Sequence, residues 1–306
     1  MCTGKDSGDM GTCFTTSECS SKGGKVDGNC AAGFGVCCTF TFSSCGSSVT
    51  QNISYITNPN YPSAYTVTST TSCTYSVTPL NSDICQLRLD LDTFNLASST
   101  TDGSCTDTFA ISVGDMDYPD LCGINSGQHM YLETDRATSS QTLTLTVAAT
   151  TGSATFKIKI SQIPCFANYK APSGCLQYYT GRSGRVKSFN RSNGKMLYNL
   201  RYSACVRREP GTCGISWAVT STTEYSPLDA FQLSATASAQ VLNLTFPNLT
   251  WLYTLFLTFY RLVALLQPRP HSYQFQEVLE IPFLAQLLPI RQLKLRMGLF
   301  MVSCRY

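Results

Sequence analysis

Residues 73–77 read Cys-Thr-Tyr-Ser-Val, and residues 84–92 read Ile-Cys-Gln-Leu-Arg-Leu-Asp-Leu-Asp. Both runs alternate apolar and polar residues, which is the period of a strand with one buried face. Similar runs continue on either side, from Cys45 to Cys165, and turn-forming residues and cysteines separate them. This rhythm predicts an all-β fold, an antiparallel β-sandwich stapled by disulfides.

The composition of the chain points to an oxidising compartment. The 306 residues include 16 cysteines, which favours a secreted or extracellular protein with disulfide bonds. Acceptor patterns for N-linked glycans agree with this setting and occur at Asn52, Asn190, Asn243 and Asn248. No apolar run follows Met1, so we expect that a signal peptide is missing or was removed. The net charge of +3 argues against nucleic acid as a partner.

Residues 1–44 form a short cysteine-rich module. It contains six cysteines, at Cys2, Cys13, Cys19, Cys30, Cys37 and Cys38. A segment of this length buries too little apolar surface to fold unaided, so crosslinks must stabilise it. Several pairings satisfy the spacing, and a disulfide knot without a binding role is one interpretation. The segment has no histidine, which disfavours zinc.

Four separated cysteines followed by an adjacent pair resemble the arthropod clip domain. The resemblance implies the pairs Cys2–Cys37, Cys13–Cys30 and Cys19–Cys38. Clip domains often precede a serine protease, so the resemblance also raises the question of a protease cascade.

Residues 45–165 resemble a CUB domain. The motifs that carry the resemblance are Cys45-Gly46, the turn from Asn58 to Pro62, Cys73-Thr-Tyr-Ser-Val, the strand from Leu87 to Leu96, Cys105-x-Asp107-x-Phe109 and Cys122-Gly123. The resemblance implies the pairs Cys45–Cys73 and Cys105–Cys122, and it leaves Cys85 to pair with Cys165. With the preceding module, the chain resembles arthropod secreted proteins that place a CUB domain after a cysteine-rich segment.

Many CUB domains bind Ca²⁺ through three acidic positions, as a cation that prefers oxygen ligands requires. Here Ala97 replaces the first acid, Asp107 retains the second, and residues 147–150 contain none at the third. We therefore predict a degenerate site without metal, no cofactor, and a hydrogen-bonding role for Asp107 in its loop. Asp115, Asp117 and Asp120 are expected to form a solvated turn.

Residues 166–240 repeat part of the preceding pattern. The segment Tyr202-Ser-Ala-Cys205 echoes the region of Cys73, and a Cys175–Cys205 bridge would match Cys45–Cys73. No second Cys-x-Asp-x-Phe follows, so we predict a truncated second CUB-like module. Cys213 then has no partner within its own module.

Charge divides between the two repeats. Residues 45–165 carry four Lys/Arg and ten Asp/Glu, whereas residues 166–240 carry nine and three. The basic segment either contacts an acidic glycan or protein or docks on the acidic first sandwich. Tyrosine and arginine dominate interface hot spots, which makes binding candidates of Tyr61, Tyr65, Tyr178, Tyr179, Arg182, Arg185 and Lys187. For the tyrosines, core packing is the alternative.

Residues 241–306 form an apolar tail. The run from Leu249 to Leu266 is nearly long enough to span a bilayer, but Arg261 interrupts it. Three interpretations remain open: translated non-coding sequence, a membrane or interfacial helix, and a folded helical appendage. The sequons Asn243 and Asn248 and the lone Cys304 depend on which one holds.

The chain lacks the motifs of hydrolytic enzymes. Its two histidines, His129 and His271, stand in neither a Gly-Asp-Ser-Gly protease context nor a His-Glu-x-x-His zinc motif. We therefore predict a non-enzymatic extracellular recognition or adhesion protein that binds protein or glycan ligands through its CUB domain. Alternatives are a non-catalytic regulator of an extracellular protease cascade and a single-pass receptor of the plasma membrane.

Overall fold

The computed structural model describes residues 1–66, 69–100, 103–113, 116–134, 141–147, 153–190, 197–198, 200–219, 231–232, 281–282 and 294–303. The chain forms two compact units. The first comprises residues 1–97, 107–117 and 126–170, and the second comprises residues 98–106, 118–125 and 171–306. Two segments expected in the first sandwich, 98–106 and 118–125, thus belong to the second unit. The run from Leu249 to Leu266 and the sequons Asn243 and Asn248 lie outside the described residues.

The N-terminal module is a small sheet with one short helix on it. Its elements are β1 (Cys2–Thr3), β2 (Met10–Phe14), α1 (Thr16–Ser21), β3 (Lys25–Cys30) and β4 (Gly35–Phe42). Thr15 caps α1, because its hydroxyl accepts from the Glu18 amide while the Glu18 carboxylate accepts from the Thr15 amide. The disulfide between Cys19 and Cys38 ties the helix to β4.

Two sheets make up the first unit. The remaining strands are β5 (Ser48–Val49), β6 (Ser54–Thr57), β7 (Thr71–Val77), β8 (Ile84–Asn95), β9 (Thr108–Val113), β10 (Met116–Asp117), β11 (Gln128–Glu133), β12 (Gln141–Val147) and β13 (Thr155–Pro164). The eight-stranded sheet has the order β1-β2-β4-β6-β13-β8-β11 with β3 beside β4, and the five-stranded sheet has the order β10-β9-β12-β7-β5.

The core lies between these two sheets, as the alternating runs predict. Leu87, Leu89 and Leu91 on β8 are fully buried. Across the core, the rings of Phe94 on β8 and Phe109 on β9 meet edge to face with centroids 5.7 Å apart. The all-β, disulfide-stapled sandwich is therefore confirmed.

Two parallel contacts depart from a purely antiparallel arrangement. Strand β5 runs parallel to β7, with Val49 opposite Val77. Strand β4 runs parallel to β6, with Phe40 opposite Ser54. Because β4 belongs to the cysteine-rich module, that module and the sandwich share one continuous sheet.

The second unit repeats part of this arrangement. Its strands are β14 (Cys175–Tyr179), β15 (Ser183–Lys187), β16 (Ser203–Val206), β17 (Thr212–Val219), β18 (Phe231–Gln232), β19 (Ile281–Pro282) and β20 (Lys294–Ser303). β14 runs parallel to β16, as β5 does to β7. A disulfide joins β14 to β16, and another joins the segment just before β5 to β7. Asn60 and Asn190, in the turn that follows β6 and β15 respectively, both have a left-handed φ, of 66° and 57°.

Part of the C-terminal tail is a strand. β20 pairs antiparallel with β15 on one side and with β17 on the other. For residues 294–303, a helical appendage was therefore the wrong expectation, and this segment continues the sheet of the second module.

Seven disulfides crosslink the described residues, and they join the same pairs that the sequence predicts. These are Cys2–Cys37, Cys13–Cys30, Cys19–Cys38, Cys45–Cys73, Cys85–Cys165, Cys105–Cys122 and Cys175–Cys205.

Candidate functional site

The outer face of the first sheet carries a cluster of charged and aromatic side chains. Strands β8, β11 and β13 alternate, so the apolar side chains face the core and the polar ones face outward. The register sets Lys159 opposite Asp90, Asp90 opposite His129 and Arg88 opposite Tyr131. We call these five residues the Arg88 face.

Arg88 is the centre of this face. Its guanidinium contacts the Asp90 carboxylate at 2.7 Å and donates to the Tyr131 hydroxyl at 2.9 Å. It also lies 5.3 Å from the centroid of the Tyr131 ring, within the range of a cation–π contact. Burial opposes the charged form, but Asp90 and Tyr131 hold the pKa of Arg88 above its ordinary value.

Two further groups complete the Arg88 face. The Lys159 ammonium lies 3.1 Å from the second oxygen of Asp90, so one carboxylate joins two cations. The rings of His129 and Tyr131 meet edge to face at 5.6 Å. Burial raises the pKa of Tyr131, and the Arg88 charge works against that rise. The result is a rigid surface of preorganised hydrogen-bonding groups.

A second cluster joins the N-terminal module to the sandwich. Lys157 on β13 forms an ion pair with Asp9, and its ammonium lies 4.9 Å and 5.9 Å from the ring centres of Tyr55 and Tyr61. The Met10 amide donates to the Tyr55 hydroxyl at 2.8 Å. Burial raises the pKa of Tyr55 to about 12. Because these groups satisfy one another, this cluster is structural.

Asp107 has the loop role that the sequence predicts. Its side chain is fully buried, and its Oδ2 accepts a hydrogen bond from the Ala97 amide at 3.0 Å. Asp117 and Asp120 are exposed, and Asp115 lies outside the described residues. Among the described residues, no group of three or more His, Cys, Asp or Glu side chains is arranged to hold a metal ion.

The candidate contacts of the second module separate into surface and core. Arg182 and Arg185 are exposed, whereas Lys187 is half-buried. Tyr178 is only 4% exposed, and burial raises the pKa of Tyr179. The prediction of a surface contact is therefore wrong for Tyr178, which packs in the core, and Tyr179 is also largely enclosed.

The two remaining tyrosine candidates, Tyr61 and Tyr65, are half-buried. The hydroxyl of Tyr61 forms a hydrogen bond with Thr93 at 3.1 Å, and the backbone of Tyr65 pairs with Ala154. Neither belongs to the Arg88 face.

Sequence reasoning missed that face, although Arg88-x-Asp90 on β8 and Lys157-x-Lys159 on β13 place opposite charges at strand spacing.

The two described sequons differ in accessibility. Asn52 is half-buried, and its Oδ1 accepts from the amides of Ile53 and Gln162. Asn190 is fully buried, its Oδ1 accepts from the Ile124 amide, and its Nδ2 lies 3.4 Å from the Ser99 hydroxyl. A glycan on Asn190 would have to displace this packing.

Only one of the two histidines of the chain lies among the described residues. His129 contacts the ring of Tyr131, and His271 lies outside the described residues. Within the described ranges, no helix is long and apolar enough to cross a membrane.

Comparison with known proteins identifies both repeats. Residues 45–160 match the model of the CUB domain, and residues 172–249 match that of the animal CUB domain. No curated protein matches the chain. The full extracellular region of zebrafish Gpr126/Adgrg6 aligns with 57% of this chain at 13% identity and a TM-score of 0.30, and this chain spans 22% of its length. The CUB1-EGF-CUB2 region of human MASP-1/3 aligns with 82% of this chain and 100% of its own length, at 14% identity and a TM-score of 0.29.

Proposed function

Because the chain carries two CUB domains, we propose that it is a non-enzymatic extracellular recognition protein whose first CUB domain binds another protein through the Arg88 face. CUB domains are extracellular modules that mediate protein–protein interactions and are generally non-catalytic. The observation that carries the proposal is the Arg88 guanidinium, which is held by Tyr131 and paired with Asp90.

The chemistry of this face suits a protein partner. The Arg88 side chain is 38% exposed, so it still presents part of its surface to a ligand. Arginine beside an aromatic ring is typical of interface hot spots, which lie in partly desolvated surroundings. Since neighbouring groups already hold the side chain, little conformational entropy is lost when a partner binds.

The experiment measures binding of the full chain to a panel of purified extracellular proteins from the same source. For the partner found, Arg88→Ala and His129→Ala should each weaken binding, with roughly a tenfold loss for Arg88→Ala. Lys5→Ala, which removes an exposed cation from the N-terminal module, is the matched control and should leave affinity unchanged. Equal affinity of all three variants, with melting temperatures like the parent's, would remove the Arg88 face as the binding surface.

A second candidate function is non-catalytic regulation of an extracellular protease cascade. The disulfide pairs of the N-terminal module favour this function, because they are the pairs that a resemblance to a clip domain implies. The full chain is added to a trypsin-like zymogen and its activator, and the rate of peptide-substrate cleavage is followed. An unchanged activation rate over a range of concentrations would count against this function.

A further inference from the structure

Two turns of the second module are clamped together by one carboxylate. The first turn, residues 180–182, follows β14, and the second, residues 207–211, follows β16. The Oε1 atom of Glu209 accepts from the Gly181 amide at 2.7 Å and from the Arg207 guanidinium at 2.8–2.9 Å. The amide of Arg207 also donates to the Tyr179 carbonyl at 2.8 Å. The two turns therefore form a single fixed surface.

Glu209 also interacts electrostatically with Arg182, but one carboxylate cannot neutralise all the cations of this surface. The Gly181 amide and Arg207 hold the pKa of Glu209 below its ordinary value, so it stays ionised and its charge is matched by Arg207. Between residues 171 and 219 it is the only acidic residue, against eight basic ones: Arg182, Arg185, Lys187, Arg191, Lys195, Arg201, Arg207 and Arg208. The second module consequently carries a large local excess of positive charge.

Arg182, Arg185 and Arg208 are the exposed cations of these turns and of the adjoining strand β15. Arg182 donates to the Pro210 carbonyl at 3.3 Å, and Arg208 donates to the Thr212 carbonyl at 2.8 Å. A carbonyl contact orients a guanidinium without removing its charge. For Arg182 and Arg185, no carboxylate lies within ion-pair distance in the part of the chain that the structure describes.

We propose that Arg182, Arg185 and Arg208 bind a sulfated polysaccharide. Guanidinium groups donate paired hydrogen bonds to tetrahedral anions, and the three arginines stand on the two clamped turns and the adjoining strand β15, so they offer several anion contacts to one polymer. The proposal deepens the extracellular recognition function and rests on the extracellular setting that this function implies.

The surroundings of the three arginines favour a glycan over an acidic protein. Protein interfaces have an apolar or aromatic centre inside a polar rim. Across the described residues, the exposed large hydrophobic side chains are Met1, Val26, Phe34, Leu80, Phe166, Tyr169 and Tyr198, none of which is in either turn or in β15. A surface that is only charged and polar binds mainly through electrostatic contacts, which salt weakens.

The test measures heparin binding of the full chain by calorimetry over a range of salt concentrations. The variant Arg182→Ala/Arg185→Ala should bind roughly tenfold more weakly. The slope of log Kd against log salt should fall by about two, one for each lost anion contact. Arg201→Ala is the matched control, because Arg201 is exposed in the same module but precedes β16, whereas the 207–211 turn follows it.

Competition separates the ligand classes. Inhibition by chondroitin sulfate but not by poly-glutamate or duplex DNA supports a sulfated glycan, whereas stronger inhibition by poly-glutamate or DNA overturns it. Absence of heparin binding at low salt, or equal losses for Arg201→Ala and the double variant, also overturns it. The single variant Arg185→Ala is also measured. Its side chain forms no hydrogen bond among the described residues, so we expect this variant to fold like the parent. The Arg88→Ala variant should bind heparin normally, so failure here is distinguishable from failure of the protein-binding proposal.

Discussion

The ammonium of Lys157 pairs with the carboxylate of Asp9 and lies over the ring of Tyr55, 4.9 Å from its centre. Asp9 belongs to the cysteine-rich module and Lys157 to the sandwich, so this contact joins two parts of the chain that are 148 residues apart in sequence. The side chains are 15% and 17% exposed, which makes the pair partly buried and therefore sensitive to the loss of either member.

Replacing Asp9 by Ala should lower the free energy of unfolding by about 1–3 kcal/mol, because a partly buried ammonium is left without its partner. Chemical denaturation of the full chain measures this. Asp6→Ala is the control, since Asp6 forms no ion pair among the described residues, and it should stay within about 0.5 kcal/mol of the parent. Equal effects of the two changes would show that the Asp9–Lys157 contact does not stabilise the fold.

Asp27 should make the protein more stable at neutral than at acidic pH. The Ser7 hydroxyl and the amides of Asp6 and Ser7 hydrogen-bond its carboxylate and hold its pKa below the ordinary 3.8. A lowered carboxyl pKa gives stability that is fully present above the unfolded pKa and is lost as pH falls through the folded pKa. Asp27→Asn should therefore lower the melting temperature at pH 7, with a difference that shrinks in strong acid. A difference independent of pH would contradict the assignment.

Asp92 should have the opposite pH dependence. Although Asp92 is exposed at the surface, partial desolvation by the surrounding protein raises its pKa above 3.8, and the nearby Lys159 only partly offsets this. A raised carboxyl pKa gives stability that is present below the unfolded pKa and is lost as pH rises through the folded pKa. We therefore expect Asp92→Asn to raise the melting temperature at pH 7 and to converge with the parent near pH 3. A lower melting temperature at pH 7 would count against this account.

N-linked glycosylation should be found at Asn52 and not at Asn190. Asn190 is fully buried, with its amide nitrogen against Ser99, whereas no hydrogen bond from the Asn52 amide nitrogen occurs in the described part of the chain. Protein secreted from eukaryotic cells is treated with a glycosidase in heavy-oxygen water, and the tryptic peptides are weighed. Full occupancy of Asn190 would show that the 188–190 turn is accessible before it packs.

Much of the fold could be predicted from short sequence patterns. Alternating apolar and polar residues mark the strands, and the cysteine motifs indicate which distant segments are joined. The turn from Asn58 to Pro62 and the motif around Asp107 each mark a particular place in the sandwich. The assignment of Asp107 to a loop hydrogen bond followed from the loss of the acid at Ala97. The turn and the role of Asp107 could be predicted because each depends on a few residues that are close in the sequence.

The exposed surfaces were harder to predict, because the residues of a strand do not indicate which other segments pack against it. Tyr178 lies in a run where Cys175, Leu176, Gln177 and Tyr178 are all buried, so alternation carries no signal there. The continuity of β4 with β6 depends on a parallel contact between segments of different modules. The Arg88 face arises from the register of β8, β11 and β13, which only the folded sheet defines.

The parallel contact of β4 with β6 has a consequence for solubility. A sheet that ended at β6 would present a row of unpaired amide and carbonyl groups, onto which extended segments of other molecules add. β4 covers part of that row, and two disulfides link β4 to the rest of its module. The cysteine-rich module thus covers this edge of the sandwich sheet, and we expect that its removal would expose an edge that favours polymerisation.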